Sequence, residues 1–196
     1  MKKLVLASNN EGKIREIRPM LASLGIEVIP QAHYGVAEAP EPHGTFVENA
    51  LAKARHVAAS TGLPALADDS GICVDALAGA PGVHSARFAG EPKSDERNND
   101  RLLEVMVARD DRSAHYYCVI VLMRHAADPQ PLIAEGEWHG MLLRERRGTG
   151  GFGYDPLFLD LKLGQTGAEL SIEHKNRISH RGKAIAVLLE KIKGVT

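Results

Sequence analysis

Three runs of this sequence hold residue types from which phosphate and metal chemistry is built. They are Ser8-Asn9-Asn10-Glu11-Gly12-Lys13, Asp68-Asp69-Ser70-Gly71, and the glycine-rich stretch 148–156 with Phe152, Gly153, Tyr154 and Asp155 inside it. The first lies where an apolar strand hands over to a helix. Backbone N–H groups at a helix start attract anions, a glycine lets a ligand approach, and a lysine adds charge. This is not a Walker A loop, because Ala7 and Ile14 stand where that motif has a glycine and a hydroxyl residue. An Asn-capped helix with a solvated lysine is the other reading of the same run.

The adjacent carboxylates Asp68 and Asp69 suit a hard cation, since Mg²⁺ takes one or two carboxylates and completes its shell with water and phosphate oxygens. The composition of this run is that of a turn, which would mount the pair at a strand end. Neighbouring strand residues point to opposite faces, so one Asp faces a ligand while the other is structural, and Asp69 is the candidate. A simple Asx turn is the alternative. Glu41, in the acidic loop 38–41, offers a second carboxylate, and Lys53 shares a helix face with Asn49 and His56. Read alone, that face is solvated. In the glycine-rich stretch an aromatic ring can lie against a planar base, worth about 1–3 kcal/mol, and Asp155 can accept from a sugar hydroxyl or a base N–H. A flexible hairpin anchored by Phe152 competes with that idea. Lys175 and Ser179-His180-Arg181-Gly182 come last. A guanidinium presents only donors, so facing a base edge it favours a 6-oxo acceptor over a 6-amino donor. A Ser-capped helix start with exposed basic residues is the plainer reading.

The elements that must position these groups follow from periodicity. Residues 3–7 read as a buried strand, 12–24 as a helix carrying Ile14, Ile17, Leu21 and Leu24 on one face, and 26–30 as a second strand. Thr45 and Glu48 form a capping box ahead of an apolar face of Phe46, Ala50, Leu51, Ala54 and Val57, closed by Gly62 and Pro64. Residues 65–67 and 72–76 read as two strands flanking the acidic turn, and 95–107 as a helix capped by Ser94. Strands over 115–124, 131–138 and 141–146, broken at Asp128-Pro129 and His139-Gly140, suggest an antiparallel meander. A short strand at 157–159, a capping box at Thr166 and Glu169, and a terminal helix carrying Ile185, Leu188, Leu189 and Ile192 complete the chain.

Composition narrows the partners. At 196 residues, 44% hydrophobic and 25% charged, the chain fits one soluble globular domain. Lys and Arg total 24 against 25 Asp and Glu, so there is no net positive field to hold a nucleic-acid backbone. The apolar run after Lys3 stops at Ser8, too short for a signal peptide, and no stretch is long enough to span a membrane; a cytoplasmic protein is expected. Cys73 and Cys118 sit in separate apolar runs and read as buried thiols. The nine histidines lack zinc spacing.

Read together in this order, the segments resemble the inosine triphosphate pyrophosphatase family, the Ham1 or RdgB-like house-cleaning proteins. SNNEGK from Ser8, ADDSG from Ala67 and GTGGFGYDP from Gly148 carry the resemblance, and TFVENALAKA from Thr45, GAPGVHSARFAGE from Gly79 and ISHRG from Ile178 extend it over nearly the whole chain. It implies an α/β fold with a long mixed sheet flanked by helices, one domain over residues 1–196 with two lobes and a substrate cleft between them, and usually a homodimer. It also implies Mg²⁺-dependent hydrolysis of non-standard purine triphosphates (ITP, dITP, XTP), with water attacking the α-phosphorus to give the monophosphate and pyrophosphate. On that carry-over Ser8, Asn9, Asn10, Glu11, Gly12, Lys13 and Lys53 hold the triphosphate. Asp69 is general base and metal ligand, and Ser70 touches substrate. Phe152, Gly153, Tyr154, Asp155, Lys175, His180 and Arg181 hold base and sugar. The family often has paired acids before the glycine ahead of the Thr45 helix; here Pro40 replaces the first, leaving Glu41 as the second metal carboxylate. Two rivals are a nucleotide-sensing module without turnover and a Maf-like pyrophosphatase acting on other modified nucleotides.

Overall fold

Twelve regular elements connect the candidate residues, and a computed structural model describes residues 2–194. In chain order they are β1 (Lys3–Leu6), α1 (Glu11–Ala22), β2 (Glu27–Pro30), α2 (Phe46–Thr61), β3 (Ala65–Val74), α3 (Asp95–Val105), β4 (Ser113–Met123), β5 (Leu132–Leu142), β6 (Phe158–Asp160), β7 (Gln165–Thr166), α4 (Ile172–Ile178) and α5 (His180–Lys193). The strands form a seven-stranded sheet in the order β2-β1-β3-β4-β5-β6-β7. β1 runs parallel to β2 and β3, whereas β6 is antiparallel to β5 and β7, so the sheet is mixed and the fold is α/β as expected.

Two compact units divide the chain: Met1–Asp69 with Cys118–Gly136 and His180–Thr196, and Ser70–Tyr117 with Glu137–Ser179. In the first, Asn10 caps α1 by accepting from the Lys13 N–H, and Ile14, Ile17 and Leu21 turn inward against Leu4, Leu6, Leu66, Ile120 and, from α5, Ile185 and Leu188. Thr45 caps α2, and Gly62 closes it in the left-handed conformation at φ 68°. In the second, Ser94 caps α3, whose Leu102 packs with Met106, Tyr116, Trp138, Tyr154 and Phe158.

Two expected breaks are absent. Residues 65–74 form one ten-residue strand, so Asp68 and Asp69 lie inside β3 rather than in a turn between two strands. Likewise β5 runs through His139-Gly140, and no separate strand follows at 141–146. Turn-type residues occur inside these strands for local reasons. The Asp68 carboxylate is neutralised by distant cations, and a Cβ on Gly71 or Gly140 would stand 2.3 Å from the Gly82 or Leu159 carbonyl oxygen. The capping box at Thr166 and Glu169 is present but opens only a 3₁₀ turn, Gly167–Glu169. Lys175 lies in α4, an element the sequence did not suggest, and His180 and Arg181 are the first residues of α5 rather than ahead of it.

Candidate functional site

Alternation along β3 sends the two aspartates to different partners. Asp69 Oδ1 accepts a hydrogen bond from Lys53 Nζ at 2.7 Å, and the same ammonium reaches Glu41 Oε1 at 2.7 Å and the Asp68 carbonyl at 2.9 Å. Lys53 is only 8% exposed, so the face of α2 expected to be solvated is instead turned inward at this position, as it is at Asn49. Asn49 does for the backbone what Lys53 does for charge. It accepts from the His43 N–H and donates to the His43 carbonyl, both at 3.1 Å, tying the loop that carries Glu41 to α2. His56 is exposed, with its ring Nε2 3.1 Å from the Ala37 carbonyl oxygen.

Asp68 faces the other cations. Lys13 Nζ lies 2.5 Å from its Oδ1, Arg181 Nε donates to its Oδ2 at 2.9 Å, and Cys118 Sγ stands 3.0 Å from the same oxygen. Arg181 Nη1 is bonded to Glu16, a buried carboxylate on α1. Arg181 is therefore a buried hub between two carboxylates, where the sequence suggested an exposed or base-facing side chain. Ser8 Oγ accepts from the Asn10 N–H at 3.1 Å, so the SNNEGK run is an ordered helix entry. Asn9, Asn10 and Glu11 are exposed there, and Ser8, Gly12 and Lys13 are half-buried. Ser70 is half-buried and His180 is buried.

Burial and charge set the protonation of this cluster. Burial works against the Lys53 ammonium, but Asp69 and Glu41 more than offset it and hold its pKa above the ordinary value. For Asp69 burial prevails over Lys53 and Lys13, and its pKa is raised. For Asp68 the balance is reversed: burial would raise it, yet Arg181 and Lys13 hold it well below the usual carboxylate range. Asp69 Oδ2 is buried and has no hydrogen-bond partner among the described residues. A carboxylate oxygen in that condition is costly unless a ligand completes it.

The second unit gathers the remaining candidates. Asp155 is 1% exposed; its Oδ2 accepts from the Phe152 N–H at 2.9 Å and from Lys175 Nζ at 2.5 Å, and Tyr116 donates to Oδ1 at 3.4 Å. Lys175 Nζ also lies 4.8 Å from the centroid of the Phe152 ring. The Tyr154 hydroxyl donates to the Ser85 carbonyl at 2.8 Å, and burial, then Asp95, push its pKa up. Gly153 is held by α3 through Asp95 and Asn99. Asp155 thus serves as an internal anchor of its loop.

Among the described residues no three or more His, Cys, Asp or Glu side chains are grouped to hold a metal. Two carboxylates meeting at one ammonium are a different arrangement, which suits a cation that draws most of its ligands from water and substrate. Sequence reasoning missed Glu16 and Asn99, and it named Asp68 as structural, Asn49 on the Lys53 helix face and Cys118 as a buried thiol without their partners. For Glu16 a signal was present, a lone carboxylate beside Ile17 three residues after Lys13. The rest depend on contacts remote in sequence.

The Ham1 family profile matches residues 4–191. The chain belongs to the Ham1 family. A dITP/XTP pyrophosphatase from Nitrosomonas europaea is 65% identical over 192 residues, covering 98% of this chain and 95% of the relative. One from Aromatoleum aromaticum is 62% identical, covering 97% and 96%. A Ham1 protein structure from Coxiella burnetii superposes with a TM-score of 0.91 at 48% identity, covering 99% of this chain and all of that one. The Staphylococcus aureus Ham1 structure gives 0.88 at 39%, with both chains fully covered. Ham1 membership makes this chain a nucleoside triphosphate pyrophosphatase. No helix among the described residues is long and apolar enough to cross a membrane.

Proposed function

We propose that this protein hydrolyses the non-standard purine triphosphates dITP, XTP and ITP to the monophosphate and pyrophosphate, with Mg²⁺ held by Asp69 and Glu41. The observation that carries the reading is the buried, unpartnered Oδ2 of Asp69 beside an ammonium shared with Glu41. Hydrolysis of a phosphoanhydride is mostly a matter of placing the nucleophile and neutralising charge on the leaving group. When bound, the metal supplies an acidified water and part of that neutralisation. Asp69 would accept the proton of the attacking water, and with Glu41 it would hold the metal. Lys13 and Lys53 neutralise phosphate oxygens, and the α1 entry from Ser8 to Gly12 adds backbone donors. Ser70 contacts substrate next to the base.

Base and sugar fall to Phe152, Gly153, Tyr154, Asp155, Lys175 and His180, with Arg181 acting indirectly through Asp68. The ring of Phe152 supplies a stacking face, and the Asp155–Lys175 pair keeps it in place. The 62–65% identical relatives named dITP/XTP pyrophosphatases support this choice of substrate. The family resemblance supports a homodimer, and we place the protein in the cytoplasm. The test is a panel of nucleoside triphosphates with and without Mg²⁺, scored for pyrophosphate and monophosphate. Metal-dependent pyrophosphate release from dITP, XTP and ITP is expected, well above that from ATP or GTP. Release of inorganic phosphate, or tight binding without turnover, would overturn the assignment.

A further inference from the structure

The loop at 148–156 presents a physical problem. Gly148, Gly151 and Gly153 adopt left-handed φ values of 86°, 69° and 61°, and such a segment has much conformational freedom to lose when a ligand orders it. Anchoring within the loop comes from Asp155, but that carboxylate holds Phe152 and leaves the intervening Gly153 to be fixed from outside. The fixing group is on α3. Asp95 Oδ2 accepts from the Gly153 N–H at 2.7 Å, and Asn99 Nδ2 donates to the Gly153 carbonyl at 2.8 Å. Asp95 and Asn99 are four residues apart on one helix face, and Asn99 Nδ2 also reaches the Asp95 carbonyl at 2.6 Å. Both backbone groups of a single glycine are thereby held by one helix turn.

Asn99 is 3% exposed, and its Oδ1 is buried without a hydrogen-bond partner among the described residues. A buried unpaired acceptor is a stability cost that a leucine of similar size would not carry. Loss of the Asn99 side chain would not strand the Asp95 carbonyl, which lies four residues before the Asn99 N–H within the same helix. An asparagine here therefore serves the loop more than the core. Its neighbour Asn98 shows the same use of α3, accepting from the Ala89 N–H at 2.8 Å and donating to the Ala86 carbonyl at 3.0 Å. Arg146, just before the loop, binds the Glu96 carbonyl and Asp100 of α3 at 2.9 and 2.8 Å.

From this we infer that Asp95 and Asn99 are positioning residues for nucleotide binding, which clamp Gly153 and so pre-set the Phe152 ring before the base arrives. The inference rests on the assignment of this loop to the base. Without the clamp, binding must order the loop, so KM for ITP rises while kcat is retained. Asp95→Ala and Asn99→Leu are expected to raise KM for ITP about tenfold, the size of effect a lost ordering contact gives. kcat should stay within about twofold. The inhibition constant of inorganic tripolyphosphate, which has no base, is expected to be unchanged. Asp95→Asn keeps an acceptor oxygen and should restore KM. Without any nucleotide, amide hydrogen exchange in the 148–156 peptide should quicken in Asp95→Ala while the rest of the chain keeps its protection.

Unchanged exchange in that peptide would overturn the clamp. So would tripolyphosphate inhibition weakening in parallel with ITP binding, or exchange quickening throughout, since each marks a general structural effect. Failure of the underlying assignment is distinguishable: Phe152→Ala would then leave KM for ITP unaltered, whereas a rise in Phe152→Ala with none in Asp95→Ala sinks the clamp alone.

Discussion

Asp69 and Asp68 are chemically identical neighbours whose surroundings drive them apart. Asp69 has one oxygen bonded to Lys53 and the other without a partner among the described residues, while Asp68 is enclosed by Arg181, Lys13 and Cys118. On the proposed reading the first reacts and the second holds charge. Asp69→Asn should therefore lose at least about 100-fold in kcat for ITP, the lower range for removal of a general base, with Mg²⁺ saturating. Pyrophosphate release near the wild-type rate would take Asp69 out of the mechanism. Arg181 carries a different expectation from the one its residue type suggests. Because its guanidinium binds Asp68 and Glu16, Arg181→Ala should lower kcat/KM for ITP and for ATP by the same factor. A loss confined to ITP would return that arginine to direct reading of the base.

At the scale of elements, the longer helices were legible because their start signals are local, whereas the seven-residue α4 was not. Asn10, Thr45 and Ser94 each cap the helix they precede, and Ile14, Ile17 and Leu21 of α1 and Ala50, Ala54 and Val57 of α2 are buried as their spacing predicts, whereas Leu24 lies beyond α1 and is exposed. Strand breaks were misread because glycine and aspartate mark turns only when nothing else explains them. Gly140 shows the alternative. It sits inside β5 where a Cβ would meet the Leu159 carbonyl oxygen at 2.3 Å and the Phe158 ring at 2.7 Å, so its lack of a side chain is what lets β6 approach. Gly140→Ala should cost about 1–3 kcal/mol by overpacking, read as a fall in the urea midpoint at constant m-value. A variant as stable as the parent would mean that β6 shifts freely and that the glycine serves another purpose. The candidate site divides the same way: Lys13, Lys53, Asp69 and the 148–156 loop were visible as motifs. The partners that fix them, Glu16, Asn49 and Asn99, were not, since a polar residue on a helix reads as solvated until its distant carbonyl or cation is known.

On the scale of the whole molecule, a fully buried carboxylate is neutralised by segments remote in sequence. Within the first unit, Lys13 and Glu16 from α1, Asp68 from β3 and Arg181 from α5 form one ionic cluster around a fully buried carboxylate. Breaking such a cluster from one side costs about 3–5 kcal/mol, so Asp68→Asn should be substantially less stable at neutral pH. The dependence on acid follows from the sign of the shift. Asp68 is held well below the usual carboxylate range, so its contribution is fully present above the unfolded-state value of about 4 and is withdrawn as the pH falls toward the native value. Urea midpoints taken from pH 7 to pH 2 should therefore separate wild type from Asp68→Asn by a constant amount down to about pH 4–5 and then converge. Curves that remain parallel to the lowest pH would show that protonation of Asp68 is not what acid reverses, and that the cluster is held by packing around Arg181 instead.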